Sequence, residues 1–270
     1  MKFPTSRAKL ARAEELRLSL VPEIEDYATG GNRIHLDRID NLGKVHEPIR
    51  VEYKVRKVDP PPDWWALVAG DVIQNARAAL DHAVWALVVK RKGETFALAN
   101  HRRIQFPIGD EPCRFPERPL LNLGVKERVV AAIREAQPFN HSTPHTHALW
   151  FLRELSNVDK HRMLHLIVLI PEELRLQTDP PIPNGKLTLK TRGALYKGAT
   201  ALTFIAPRPP HVVGRVKVDI QLNAGICFAA TPTTGATAIN VALEAVINEA
   251  THAIDTLEAA SSPPKRARAK

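Results

Sequence analysis

In the stretch GDVIQNARAALDHAVWALVVKR, residues 70–91, Asn75, Arg77, Asp81 and His82 interrupt a run of Ala, Val and Leu. A second polar cluster, NVDKHR at 157–162, contains Asp159, His161 and Arg162. Together they offer an imidazole titrating near neutrality, carboxylates to orient it and guanidinium groups to clamp an anion. That combination suits acid–base work on a phosphate. In such a site His82 is the base or acid, Arg77 holds the phosphate, and Asp81 and Asn75 orient them. His161 and Arg162 supply a second acid and a second clamp, with Asp159 beside them. The competing reading is structural. Lys160, His161 and Arg162 complement the negative end of a helix, and the two clusters form one buried polar network that fixes helix register in a non-catalytic binding protein.

The segment HSTPHTH brings His141, His145 and His147 close together, and with His82, His161 or His165 they could surround a metal. No H-E-x-x-H pattern accompanies them, and none has a ligand-spaced acid on its own helix face. Neither a metal nor a cofactor is therefore expected. The chain has no glycine-rich phosphate loop, no G-x-S-x-G elbow and no nucleophilic Cys–His pairing, which argues against nucleotide hydrolases and esterases of those types.

NARAALDH carries Arg77, four residues, then His82, and in this it resembles the R-x4–6-H signature of HEPN domains. The resemblance implies an α-helical bundle, a facing second copy in a homodimer, and metal-independent cleavage of single-stranded RNA by attack of the ribose 2′-hydroxyl on the adjacent phosphate. It also implies a defence or toxin role. A broader likeness covers roughly residues 60–165. GDVIQNARAALDH, FPIGD, QPF and NVDKHR, in that order, resemble an uncharacterised family of bacterial and phage proteins, which implies no particular activity.

The elements that must position these residues follow from hydrophobic spacing. With Asp71 at 0° and about 100° per residue, His82 falls near about 20°, Asn75 about 40°, Asp81 about 280° and Arg77 about 240°. Val72, Ala76, Ala79, Leu80, Ala83 and Leu87 fill the opposite arc. Arg77 and Asp81, four apart, can pair along the helix. Leu67 and Trp85 share the polar band, which fits a partly covered groove better than open water. Asp63 after DPPP is an N-cap for this helix, expected over 64–90.

A helix over 6–27, with Leu10, Leu16, Leu18, Val21 and Ile24 as its stripe, precedes it and stops at TGGN. RIHLDRI and EPIRVEYKVRKV read as a hairpin. RRIQFPI is extended. Shorter helices are expected near 125–136 and 146–160, and Ile239, Leu243, Val246, Ile247, Ala250, Ile254 and Leu257 mark a closing helix over 236–259. Between 164 and 230, LHLIVLI, KLTLKT, ALTFIA, RVKVDIQL and GICFA alternate with Pro- and Gly-rich turns. The pattern is α+β: a helical bundle packed with antiparallel sheet from 33–58 and 164–230. It is expected as one domain over 1–260, with the strand-rich section as a subdomain at most.

The chain's 44% apolar and 25% charged residues are those of an ordinary globular protein. Four of the nine excess positive charges lie in SSPPKRARAK, expected to be a disordered tail over 261–270. The remaining +5 tolerates a phosphate-rich partner such as RNA without requiring one. Two dissimilar cysteines, no membrane-length apolar run and no signal-peptide core point to the cytoplasm and away from a membrane partner.

Overall fold

A computed structural model describes residues 1–29, 33–41, 44, 47–169, 175–179, 182, 185–190, 195–208, 217–221, 225–229 and 236–262. TGGN beyond its threonine, most of the turns of the strand-rich section and the basic tail beyond Ser262 lie outside them. The fold is α+β. Helices α1 (Pro4–Thr29), α2 (Asp63–Lys92), α3 (Glu94–Ala99), α4 (Glu117–Asn122), α5 (Glu127–Glu135), α6 (Ala148–Asp159) and α7 (Ile239–Ser261) surround one core. Helix α2 is its axis and packs against α1, α6 and α7, which also pack on one another in the pairs α1–α7 and α6–α7. Among the described residues no helix is long and apolar enough to cross a membrane.

The packing reflects side-chain size. Val72, Ile73, Ala76, Ala79, Leu80 and Ala83 of α2 are all fully buried. They recur at three- and four-residue steps, so a wide apolar face meets neighbours on several sides. In α1 the buried stripe is Leu10, Ala13, Leu20, Ile24 and Tyr27, while Leu18 faces outward. Helix α2 starts one residue earlier than the capping expectation. Pro62 holds the extended cap conformation, and Asp63 is the first helical residue with its carboxylate in the first turn. There it meets the positive end of the helix dipole without forming a side-chain cap.

Strands β1 (Ile34–Asp40) and β2 (Ile49–Val58) form the expected hairpin. It is extended by β6 (Thr200–Ala206) and β5 (Lys186–Leu189) into a four-stranded antiparallel sheet ordered β1-β2-β6-β5. The other strands form two further antiparallel sheets. One is β3 (Leu166–Leu169), β8 (Gly225–Phe228) and β9 (Thr237–Ala238); the other is β4 (Arg175–Asp179) with β7 (Lys217–Gln221). Val168, Ile226 and Phe228 join the helical core, whereas Val55, Ala199 and Ala201 make a small cluster in the first sheet. The strand-rich section therefore divides according to which core its apolar residues meet.

At the far end of α7, Glu258 is buried and receives Lys2 Nζ at 2.8 Å, Phe3 N at 3.1 Å and the Arg7 guanidinium at 3.1 Å. Burial alone would raise its pKa, but those donors outweigh it and hold the carboxyl at about 2. The carboxylate thus ties the start of α1 to α7.

The α2–α6 crossing depends on a glycine. Asp159, the last residue of α6, rests against Gly70, where an added Cβ would overlap its carboxylate. Gln74 Nε2, one turn along, donates to Asp159 Oδ2 at 2.9 Å and to Ser156 O at 3.2 Å. Glycine inside a helix otherwise costs about 0.5–1 kcal/mol relative to alanine. Gly70→Ala should therefore destabilise the wild type, yet stabilise an Asp159→Ala background by up to about 1 kcal/mol. Urea denaturation of the four proteins in the cycle reads this change of sign, and equal effects in both backgrounds would contradict it.

Candidate anion-binding cleft

Between the turns at His101–Arg103 and Pro112–Arg114, residues 104–110 enter neither a helix nor a sheet. Their backbone groups must find other partners, because unpaired buried peptide groups are costly. Side chains provide them. Phe106 N donates to Asp81 Oδ1 at 2.8 Å, and Phe106 O accepts from Arg77 Nη2 at 2.8 Å. Arg77 Nη2 also lies 3.0 Å from Asp81 Oδ1, the expected pair four residues apart. Gln137, fully buried after α5, donates from Nε2 to Pro107 O at 3.0 Å and accepts from Gly109 N at 3.0 Å. Arg153 of α6 donates to Ile108 O at 3.2 Å.

The segment so held forms one wall of a cleft of about 400 Å³, with α2 and α6 behind it. Phe106, Gln137 and Ser156 contribute to its lining and are at most 1% exposed, so it has a buried floor. Arg77, Arg114, Arg153 and Lys160 bring four cations, against Asp110 as the one acid among the described lining residues. Arg77 is paired with Asp81 and Arg114 with Glu111, the latter at 3.0 Å. Arg153 stacks over Trp150, 4.5 Å from the ring centre. Burial raises the pKa of Asp81, while Arg77, the Phe106 N–H and the charge of Lys160 pull it back.

The seven residues expected to act together are distributed over several surroundings. Arg77 lines the cleft and Asp81 braces its wall. Asn75 turns toward α1, where Lys9 Nζ donates to its Oδ1 at 3.1 Å and its own Nδ2 donates to Asp71 O at 2.8 Å. His82 is half-buried and has no hydrogen bond or ion pair among the described residues. Asp159 sits at Gly70 and Gln74. His161 and Arg162 are exposed just beyond α6, where their backbone N–H groups bond Val158 O. Of the second cluster Asp159 reaches α2, but through Gln74; among the described residues Asn75, Arg77, Asp81 and His82 make no hydrogen bond or ion pair with residues 157–162.

Of the loop histidines, His145 stands apart while His141 and His147 lie together. His145 lies 3.3 Å from Asp110 Oδ2, with its ring centre 4.9 Å from that of Trp150. His147 caps α6: its Nδ1 accepts from Leu149 N at 3.2 Å. The His141 ring centre is 4.2 Å from that of His147, and Glu249 of α7 is 3.8 Å from His147 Nε2. Among the described residues no group of three or more His, Cys, Asp or Glu is arranged to hold a metal ion.

Gln137, Arg153 and Gln74 carry the geometry without having been singled out by residue type. The available signals were QPF and FPIGD, two short motifs now seen to bond to each other. No family model matches this chain, and no curated protein or solved structure is significantly similar to it.

The cap on α6 makes a pH dependence. Burial lowers the His147 pKa below 6.5, with nearby His141 lowering it further and Glu249 opposing. The unfolded chain then takes up a proton that the folded chain refuses. The contribution of His147 is complete above pH 6.5 and is lost as pH falls below it toward the folded pKa. His147→Asn retains a capping oxygen without the titration. Urea unfolding should show the wild type losing more stability than this variant between pH 7.5 and 5.5. Parallel losses would contradict the assignment.

Proposed function

We propose that this protein binds a phosphate-bearing ligand in the cleft between α2, α6 and residues 105–116, and that the ligand is single-stranded RNA. The observation that carries the reading is the set of cations on a buried floor: Arg77 and Arg153 are fixed by backbone carbonyls, and Lys160 stands at the end of α6. Guanidinium groups already held in place lose little freedom when a phosphate arrives, and their remaining N–H donors match its oxygens. RNA is the ligand implied by the R-x4-H resemblance, and the surplus of basic residues is compatible with it.

In this reading the Arg77–Asp81 pair builds the wall of the site as a non-catalytic polar network. The second reading is a metal-independent endoribonuclease of HEPN type, possessing the same clamp. Arg77 at the cleft supports it, whereas His82, its acid–base group, is not among the cleft-lining residues. A homodimer that supplies a second Arg and His belongs to that second reading.

Fluorescence anisotropy with a labelled single-stranded RNA separates these readings from no function at the cleft. The wild type should bind, with log Kd rising linearly with log salt concentration. Arg153→Ala and Lys160→Ala should each weaken binding by about tenfold, the scale of one lost charge-assisted contact. Unchanged affinity in both variants would move the ligand elsewhere. Incubation with EDTA then decides on catalysis: intact RNA supports the binding protein, and 2′,3′-cyclic phosphate ends that disappear in His82→Ala support the nuclease.

A further inference from the structure

We propose that the cleft receives the terminal phosphomonoester of a strand rather than a phosphodiester within it, an inference that rests on phosphate binding at this site. Three features of the cleft lead there. The first is charge. Arg77 and Arg114 have acidic partners, whereas Arg153 and Lys160 have no carboxylate within ion-pair distance among the described residues; Asp110, the one acid of the lining, lies 3.3 Å from His145 Nε2. Two unmatched cations answer a dianion. A phosphodiester carries one negative charge, whereas a phosphomonoester carries about 1.5 to 2 near pH 7 because its second pKa is about 6.

The second feature is shape. Phe106, Gln137 and Ser156 give the cleft a buried floor. A group that enters is stopped at that floor, as the end of a strand would be. The third is size. About 400 Å³ falls at the small end of the range for ligand pockets, about 300–1,000 Å³, and suits one terminal nucleotide. The exposed amides of Gln105 and Asn157 also belong to the lining and have no side-chain hydrogen bond among the described residues. They are available to a sugar hydroxyl or base edge.

Anisotropy titrations with matched RNA octamers test this. The octamers bear a 5′-phosphate, a 3′-phosphate or hydroxyls at both ends, with the fluorophore at the end not under test. One phosphorylated end should bind at least tenfold more tightly than the hydroxyl octamer. That preference should vanish in Arg153→Ala and Lys160→Ala, and should shrink as pH falls below about 6, where the monoester takes up its second proton. Competition by a nucleoside monophosphate, and not by the corresponding nucleoside, tells whether the terminal nucleotide alone suffices. Equal affinity for phosphorylated and hydroxyl octamers would overturn the terminal-phosphate inference while leaving RNA binding in place. Failure to bind any octamer, with no displacement by mononucleotide or inorganic phosphate, would overturn both.

Discussion

A peptide segment that belongs to no helix or sheet must still find partners for its N–H and C=O groups, and five of the seven in residues 106–109 bond to side chains. Asp81 and Arg77 take the two groups of Phe106, Gln137 takes Pro107 O and Gly109 N, and Arg153 takes Ile108 O. These four residues come from α2, from the end of α5 and from α6, so the segment joins elements that are distant in sequence. A charged pair on a helix in the core is otherwise a poor stabiliser, because desolvation offsets its attraction. Here the pair is justified by peptide groups that have no other partner.

The same bonds create the site. Once Arg77 and Arg153 are anchored to carbonyls, their charges are held beside a cleft instead of sweeping through solvent. Asp81 compensates Arg77 at a desolvation cost that raises its own pKa. Lys160 and Arg153 have no carboxylate within ion-pair distance among the described residues. Helix α6 carries Arg153 and ends just before Lys160, and its position is fixed at one end by the His147 cap and at the other by Asp159 on Gly70. Position, charge and floor therefore trace to the same few contacts.

Much of this architecture was legible from spacing. The long apolar stripes of α2 and α7 are local patterns that map directly onto burial, and the alternation in β2 does so at Ile49, Val51 and Val55. The Arg77–Asp81 pair is local as well. What a helical projection cannot supply is the neighbour lying in a given direction. Asn75 and His82 share a band with Asp71, yet Asn75 meets Lys9 of α1, while Gln74, inside the same band, makes the α6 contact. Gln137 was less legible still. Its neutral amide before a proline looks like a helix end, and its role depends on a carbonyl and an N–H some thirty residues earlier. His147 resembled a potential metal ligand by type, but it uses its lone pair on a helix N–H.

Native-state amide hydrogen exchange is the direct test that the side-chain clamp holds the segment. The Phe106 and Gly109 N–H groups should be strongly protected although neither lies in a helix or sheet. Asp81→Ala should release Phe106 selectively, and Gln137→Ala should release Gly109, while the buried amides of α2 around Ala79 and Leu80 stay protected in both. Fast exchange of Phe106 and Gly109 in the wild type, or protection that survives the loss of Asp81 and Gln137, would contradict the account.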